Sequence, residues 1–391
     1  MRACLAFALL AGAAVSLPAR AIEYQVHGYA AQGLVYTDHN NFFGESSDVS
    51  TDYYEAGLNA SVQVNPGLRF AAQAAIRDAG LSDDGSLRLD YALVEYRFFS
   101  EAQRTAGVRA GKVKNVIGFF NETRDVIFTR PGILMPGVYA DNQNQRGLIF
   151  TGPGAQVFGS RLFGEHDLSF SASANVRHDV RKSDERLLIT LPGIPFDLQI
   201  KDSWSARVMD SIDGGRLQFA LSHFHGRFDL TTPDTFGLTG DFGVGITVLS
   251  GRFNAEKFTI TSEYARLTNN NRADVGPTPL VREKVDADSG YVQYDYRFNR
   301  SWGAFARIDA SFSDIHDRSG RRFAAANPGE SRKSRMRRDL TIGASWRYGE
   351  HWGVWGEYHW IDGTSSLLPL ENPGPVKDRW SLLMFMVGAK F

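Results

Sequence analysis

The sequence predicts an all-β protein, a transmembrane antiparallel β-barrel of about sixteen strands. Three observations support this: apolar and polar residues alternate along many short segments, long and short connections alternate along the chain, and the last segment, 380–391, has one apolar face. In such a barrel every second residue of a strand faces lipid, and about ten residues cross the hydrocarbon layer. The mean hydropathy of -0.27 fits this prediction, because the other half of each strand faces water.

Two neighbouring segments, 52–64 and 68–78, show the alternation most clearly. In the first, Tyr54, Leu58 and Val62 share one face and polar residues occupy the other. The intervening Asn65-Pro66-Gly67 is a turn signal, so the pair is predicted to form a hairpin. The polar faces of these and later strands are predicted to line the lumen through Glu55, Asn59, Gln73, Asp295, Arg297, Arg347 and Glu357.

The connections predict the strand number. Long connections are predicted near 37–51, 79–86, 115–145, 180–200, 226–240, 267–286, 313–337 and 362–379. Short ones are predicted near 65–67, 99–105, 153–166, 213–215, 253–254, 299–300 and 349–350. Eight long and seven short connections require sixteen strands and place both termini at the short-turn end. Long outer loops with short periplasmic turns are typical of bacterial outer-membrane barrels.

The first 21 residues are predicted to be a secretory signal peptide. Arg2 supplies the positive charge, 5–17 is apolar, and Ala19-Arg20-Ala21 matches a cleavage pattern. The remainder, 22–391, is predicted to be a single barrel domain exported to the bacterial outer membrane. The only cysteine, Cys4, lies in the signal, which argues against disulfides and thiolate metal sites in the mature chain.

A sixteen-stranded barrel is wide enough to leave an aqueous channel, and the predicted inward faces are polar. The first strand is predicted to begin at Glu23, directly after the signal, so a separate plug domain is not expected. In its signal, strand rhythm, long third loop and terminal Phe391, the chain resembles the sixteen-stranded Gram-negative outer-membrane porins. The resemblance implies a homotrimer of channels, each narrowed by an inward-folded third loop. It also implies that Phe391 is read by the barrel-assembly machinery.

The third long connection, 115–145, has the composition expected of a pore constriction. It combines apolar residues with charges and two Pro-Gly pairs, which suit a loop packed against a wall. Lys112 and Lys114 would face lipid under strict alternation, so a β-bulge at Gly111 is predicted to turn them inward. The predicted constriction residues are Arg69, Arg77, Arg109, Lys112, Lys114, Glu122, Arg124, Asp125 and Arg130. Arg124 and Arg130 could instead brace the loop through salt bridges.

The predicted function is therefore passive diffusion of small hydrophilic solutes, with weak anion preference because the constriction leans positive. The protein is predicted not to be an enzyme and to need no cofactor or metal, since its histidines lack a compact metal-binding pattern. Two alternatives stay open: an outer-membrane barrel enzyme of the lipase or protease type, and a loop-driven adhesin.

Two further segments bear on possible partners. The basic run at 332–338 is predicted to meet lipopolysaccharide phosphates or to recruit anions, with a merely solvated loop as the alternative. The formal net charge of -1 argues against nucleic acid as a partner. The apolar stretch 187–200 suits either a subunit contact or an inward fold. Outer-membrane lipid and lipopolysaccharide are the expected surroundings.

Overall fold

The structure, a computed structural model, describes residues 22–139, 149–182, 184–185 and 194–391. The predicted signal peptide (1–21), part of the predicted third loop (140–145) and the first half (187–193) of the apolar stretch 187–200 lie outside these residues.

One antiparallel sheet closes on itself to form the barrel. Its strands are β1 (Glu23–Thr37), β2 (Tyr53–Asn65), β3 (Leu68–Ala79), β4 (Arg88–Glu101), β5 (Arg104–Lys114), β6 (Thr151–Phe163), β7 (His166–Asn175), β8 (His178–Asp179), β9 (Asp197–Ile212), β10 (Leu217–Thr231), β11 (Leu238–Asn254), β12 (Phe258–Val275), β13 (Thr278–Arg297), β14 (Trp302–Phe312), β15 (Met336–Tyr348), β16 (Trp352–Asp362) and β17 (Arg379–Lys390). The two-residue β8 continues β7 along β9, and the other sixteen strands form the wall. The predicted fold class is therefore confirmed.

The barrel closes where β1 pairs with β17, in register from Tyr29↔Lys390 to Thr37↔Leu382. Beyond this pairing, the terminal Phe391 donates its N–H to the Gly28 carbonyl at 3.0 Å and accepts the Gly28 N–H at 3.2 Å. The last residue of the chain thus completes the seam. In the part of the chain that the structure describes, no helix is long and apolar enough to cross a membrane.

Exposed and buried residues alternate along the strands, as predicted for a barrel wall. On β17, Leu383, Phe385 and Val387 are exposed on the outer surface, whereas Met384 and Met386, which alternate with them, are fully buried inside. Exposed aromatic residues gather near the short turns, as in the girdles of membrane barrels. They include Tyr96, Phe98, Phe163, Phe298, Trp302, Tyr348 and Trp352.

Two of the predicted connections are wrong, and a third, 226–240, is too long, because β10 and β11 leave only 232–237 between them. The predicted short connection 153–166 is mostly strand β6, whose turn is only 164–165; Gly152, Pro153 and Gly154 pair in register with β5. Glycine and proline usually indicate a turn. Here a Cβ on Gly154 would lie 2.0 Å from the Ala174 carbonyl oxygen, so glycine allows the two strands to approach each other closely. The predicted long loop 267–286 instead forms the end of β12 and the beginning of β13, which are joined by the two residues 276–277.

The reason for the second error is an inversion of the strand faces near the long-loop end. On β10, Phe224, Phe228 and Leu230 point inward and are buried, while Arg227 and Asp229 point outward. Outward ion pairs between neighbouring strands accompany them, such as Arg266 with Asp286 at 3.1 Å. The wall in this region encloses an apolar cluster and has a polar outer surface, as a water-soluble protein does. The polar residues of this outer surface led to the prediction of a loop at 267–286.

Short helices lie in the connections. They are the 3₁₀ turns Ile127–Thr129, Gly137–Tyr139, Ile315–Asp317 and Arg332–Arg335 and the helix α1 (Arg321–Ala326).

Candidate functional site

The connection between β5 and β6, residues 115–150 and hereafter loop three, lies against the inner wall over its described part. At its root the Val116 N–H donates to Ser205 Oγ on β9 at 3.0 Å. The Gly118 N–H donates to Ser222 Oγ on β10 at 2.9 Å. Both serines are inward-facing and buried, so the loop turns into the barrel as soon as β5 ends.

A buried carboxylate on β12 holds the next part of the loop. Glu263 accepts the Phe119 N–H at 2.9 Å and the Tyr139 hydroxyl at 2.7 Å, both from loop three. It also accepts the hydroxyls of Ser250 at 2.6 Å and Tyr291 at 2.8 Å from the wall. Four donors thereby replace the water that this carboxylate loses on burial.

Four side chains on strands of the wall hold the far part of loop three, residues 131–137. Gln293 on β13 donates to the Pro131 carbonyl at 2.8 Å, and Arg307 on β14 donates to the Leu134 carbonyl at 3.0 Å. Glu357 on β16 accepts the N–H groups of Ile133 and, at 3.2 Å, Leu134, and Asp309 on β14 accepts the Gly137 N–H at 2.6 Å. His359 in turn contacts Glu357 through Nε2 at 3.3 Å. Glu357, predicted to line the lumen, is thus a buried anchor of loop three.

Two arginines predicted in the constriction are buried instead. Arg130 Nη1 donates to Glu55 Oε2 at 2.9 Å, and its Nη2 donates to the Tyr53 hydroxyl at 3.3 Å. Arg124 donates to the Tyr139 carbonyl at 3.2 Å and lies over the Phe150 ring at 4.0 Å. Arg124 thus contacts groups of loop three itself, whereas the ion pair of Arg130 joins the loop to the wall and is not internal to the loop.

The lysines of β5 lie at the root of the loop. Lys114 Nζ contacts both Asp90 Oδ2 on β4 and Asp125 Oδ2 on loop three at 2.8 Å. Lys112 and Lys114 line one cavity, and Lys112 donates to the Leu89 carbonyl at 2.7 Å. The predicted bulge at Gly111 is wrong, because the register continues unbroken on both sides of it. Its φ of 125° supplies a local kink instead.

Glu122, the other acidic residue of the predicted constriction, does not face the β3–β5 wall. Its Oε2 contacts Arg207 Nη1 on β9 at 2.6 Å. Arg207 also donates to the Gly118 carbonyl at 2.9 Å, so this pair secures the loop at its root.

On the β3–β5 wall, three arginines surround one carboxylate. Glu95 on β4 is fully buried and contacts Arg69 at 3.3 Å, Arg97 at 2.8 Å and Arg109 at 2.7 Å. Arg109 also donates to Gln156 Oε1 at 2.6 Å. We call Arg69, Glu95, Arg97 and Arg109 the arginine cluster. Arg69 and Arg109 were predicted here, whereas Glu95 and Arg97 were missed although the same alternation along β4 places them inward.

The remaining predicted residues are spread along the barrel. Arg77 is buried toward the long-loop end of β3, 3.8 Å from Asp83 and over the rings of Phe43 and Tyr53. Glu55, its register neighbour on β2, and Tyr53 both contact Arg130, so Arg77 lies beside this anchor of loop three. Gln73 donates to Asp90 at 2.9 Å.

Of the predicted lumen residues, Asn59 pairs in register with His27 and Gln73 and is half-buried. Asp295 accepts from Gln293 at 2.8 Å. Arg297 and Arg347 are exposed near short turns, where Arg297 donates to the Ala255 carbonyl at 2.6 Å.

The described residues contain no group of three or more His, Cys, Asp or Glu side chains arranged to hold a metal ion. His223 and His225 lie on the outer face of β10 beside the exposed Trp204, with ring centroids 5.0 and 6.3 Å from it. They do not line the lumen.

Comparison with known proteins gives structural likeness only. No protein-family model matches the sequence, and no curated protein matches it. Among solved structures, Salmonella typhi OmpF in complex with daunomycin is 13% identical, with a TM-score of 0.59, covering 94% of this chain and 97% of that one. The outer membrane channel DcaP of Acinetobacter baumannii is 14% identical, with a TM-score of 0.58 and coverage of 95% and 97%.

The anion-selective porin from Comamonas acidovorans is 11% identical, with a TM-score of 0.53, covering 95% of this chain and 99% of that one. These alignments run over nearly the whole barrel on both sides. The chain therefore has the closed, sixteen-stranded antiparallel barrel fold of the outer-membrane porins.

Proposed function

We propose that the protein is a channel of the bacterial outer membrane through which small hydrophilic solutes diffuse passively, with weak preference for anions. One arrangement supports this proposal. Loop three forms hydrogen bonds with inward-facing side chains on strands from β9 to β16, while the arginine cluster on β3–β5 remains accessible to water. A fixed loop that narrows a polar lumen filters solutes by size, and charged side chains beside it discriminate by charge.

The proposed preference follows from unequal exposure within the arginine cluster. The side chains of Arg69, Arg97 and Arg109 keep 32%, 33% and 26% of their surfaces exposed, whereas Glu95 keeps 0%. Three positive charges thus face the lumen around one hidden negative charge. Their field attracts anions only within a Debye length, about 8–10 Å at ordinary ionic strength, so the preference is expected to be weak.

The predicted constriction residues take different parts in this proposal. Lys114 with Asp125, and Glu122 with Arg207, fix the two sides of the root of loop three. Arg124 stiffens the loop from within, and Arg130 joins it to the wall. Arg69 and Arg109, together with Arg97, are the charged side chains that contact the passing solutes.

Single-channel recording in planar bilayers tests the proposal. We expect stable ohmic steps and a reversal potential under a salt gradient that indicates anion preference. Arg69→Gln with Arg109→Gln should shift the reversal potential toward cations, and Glu95→Gln should shift it the opposite way. Arg104→Gln is the matched control, because Arg104 lies on the same strand as Arg109 but pairs with the exposed Glu101.

A folded barrel that never conducts would contradict the proposal and favour the enzyme or adhesin alternatives. We expect no catalytic activity, since the proposed transport breaks no bond. Assays for lipase and protease activity on the same preparation would separate a channel from a barrel enzyme.

The same proposal sets the location and surroundings of the protein. Export would use the signal at 1–21, and the barrel-assembly machinery would read Phe391, which lies exposed at the seam. The short turns would face the periplasm and the long loops the outside, amid lipid and lipopolysaccharide. Deleting Phe391 should lower the yield of barrel in the outer membrane, measured by fractionation.

We also propose a homotrimer. The outer face of β1–β7 is flattened by alanines that pair across strands, for example Ala30↔Ala56, Ala60↔Ala72 and Ala110↔Ala155. Such a face allows close approach of a second barrel wall. Mass measurement in detergent tests this, and a mass of one chain would contradict it.

A further inference from the structure

We infer that a cavity near the long-loop end binds small organic anions that carry hydroxyl groups, of the sugar-phosphate class. The cavity lies between β13 and the connection of residues 313–335, hereafter loop seven, and has a volume of about 530 Å³. This is within the range of about 300–1,000 Å³ that is usual for small-molecule sites. The site is separate from loop three and the arginine cluster, and binding there does not depend on whether the lumen conducts.

Unequal strand lengths create the cavity. β13 pairs with β14 only as far as Asp288↔Phe312, whereas its pairing with β12 continues to Thr278. Residues 278–287 therefore form an open sheet edge on the side of β14. Loop seven lies beside this edge, so the cavity is lined by Glu283–Asp286 of β13 together with residues of the loop.

Loop seven is held in place by its own contacts. Arg318 forms an ion pair with the buried Asp288 of β13, and the Ser313 N–H donates to the Arg335 carbonyl at 2.9 Å. The Asp317 carboxylate accepts the N–H groups of Arg321 at 3.0 Å and Phe323 at 2.9 Å. A site on a loop fixed in this way loses little conformational entropy when a ligand binds.

The acidic residues of the cavity are mostly engaged by other donors. Asp286 contacts Arg266 at 3.1 Å and accepts the Thr268 hydroxyl at 2.9 Å. Asp314 accepts the His316 N–H at 2.8 Å, and Asp317 accepts the N–H groups of Arg321 and Phe323. Glu283 is the acidic lining residue that stays exposed.

The basic residues are not engaged in the same way. In the described part of the chain, Lys284, Arg322 and Arg335 form no ion pair with a carboxylate. Arg335 lies over the Phe323 ring at 5.0 Å, and Arg322 donates to the His316 carbonyl. The guanidinium groups therefore keep donors for an oxyanion, which arginine binds in a fork geometry.

Further polar groups around the cationic side suit hydroxyls. Glu283 and Asn327 also line the cavity, and their carboxylate and amide groups can form hydrogen bonds with hydroxyls. An anion with several hydroxyl groups uses both parts, whereas inorganic phosphate would use only the cationic one. This distinction selects sugar phosphates over simple anions.

Isothermal titration calorimetry on the refolded full chain in detergent, free of lipopolysaccharide, tests the inference. We expect glucose 6-phosphate to bind at least tenfold more tightly than glucose or inorganic phosphate. Arg322→Gln with Arg335→Gln should weaken that binding at least tenfold. Lys284→Gln, on the exposed strand edge, should weaken it less and serves as the second variant if the arginine pair is needed for folding.

Arg216→Gln is the matched control, since Arg216 is exposed at a short turn and pairs with Asp213 at 3.2 Å. It should leave the binding unchanged. Equal binding of glucose and glucose 6-phosphate, or unchanged binding in the arginine variant, would overturn the inference. So would binding of lipopolysaccharide micelles through these arginines without binding of glucose 6-phosphate. None of these outcomes depends on conductance, so they are distinguishable from failure of the proposed channel.

Discussion

Arg130 of loop three donates to Glu55 of β2 at 2.9 Å, and the two side chains keep only 1% and 2% of their surfaces exposed. The residues are 75 positions apart in the chain. Both had been predicted to present charge to the lumen, and the pairing removes both charges from it. The function of this pair is therefore to hold the loop to the wall.

Replacing Glu55 by Gln should destabilise the barrel by about 3–5 kcal/mol, because it leaves the buried Arg130 guanidinium without its counter-charge. Urea unfolding in lipid vesicles measures this change. The double variant Glu55→Gln with Arg130→Met should lose clearly less stability than the sum of the two single variants. Additive losses would contradict the interpretation as a coupled pair.

The strand number and most strand faces could be predicted because the environment imposes them. Lipid outside and water inside give a strand a period of two, and on β7 the apolar residues from Leu168 to Ala174 alternate with the polar residues from Ser169 to Asn175. Errors in three connections did not alter the count, because each misplaced a boundary without removing a strand. The loop rhythm was thus a more robust signal than any single turn.

The inverted region could not be predicted in the same way. Phe224 and Phe228 alternate with His225 and Arg227 as in any strand, but the apolar side faces inward. An alternation with a period of two shows which residues share a face of the strand, but it does not show which face points into the barrel. That depends on loop three packing within the barrel, a contact between distant segments.

The same limit applies to the site. Arg69 and Arg109 could be placed inward from their own strands, and Glu95 on the strand between them could have been found by the same alternation. By contrast, the burial of Arg124 and Arg130 depends on where loop three lies. Composition indicated that the loop packs against a wall, yet it did not indicate which of its charges would be enclosed.

Glu263 offers a direct test of what fixes loop three. Its replacement by Ala removes the acceptor shared by the Phe119 N–H and three hydroxyls, and unpaired buried donors cost about 1–3 kcal/mol each. We expect a less stable barrel whose single-channel current is larger and noisier, because the loop detaches from β12. Planar-bilayer recording measures both current properties.

Ser250→Ala is the control for Glu263, since it removes one donor and leaves the acceptor and the other three donors in place. It should keep the ordinary current. Equal currents from Glu263→Ala and the unmodified protein would mean that the loop does not depend on this carboxylate.

Glu371 should make the loops at the seam sensitive to pH. The connection after β16 carries it, and its Oε1 accepts the N–H groups of Leu81 at 2.7 Å and Gly44 at 3.2 Å. Burial raises the pKa of the Glu371 carboxyl above its usual range, and these N–H donors oppose the rise only in part. The folded state thus holds the proton to a higher pH than the unfolded chain does.

This contribution to stability is fully present below the unfolded pKa and is lost as the pH rises through the raised, folded value. Acidification from pH 7 toward the unfolded pKa of about 4.3 should therefore stabilise these loops in the unmodified protein relative to Glu371→Gln. Hydrogen exchange of the Gly44 and Leu81 amides across this range measures the difference. Glu330→Gln, in exposed loop seven, is the control, and parallel pH profiles for all three proteins would refute the prediction.

Gly111 should be required for the path of β5 and hence for the position of its lysines. Its φ of 125° is one that other residues rarely adopt, and a Cβ there would lie 2.2 Å from the Ala92 carbonyl oxygen of β4. Gly111→Ala should therefore cost at least the ~1–3 kcal/mol typical of backbone strain. It should also weaken the contacts of Lys114 with Asp90 and Asp125, because the backbone must move before the new methyl group fits.

Urea unfolding measures the stability of this variant, and the reversal potential reports the displaced lysines. Gly356→Ala on β16 is the matched control, since a Cβ there has no neighbour nearer than 4.0 Å and the backbone is ordinary. If both variants show the same stability and the same reversal potential, the kink at Gly111 is dispensable. The inward orientation of Lys112 and Lys114 would then arise from their contacts with Leu89, Asp90 and Asp125, with no need for a special backbone conformation.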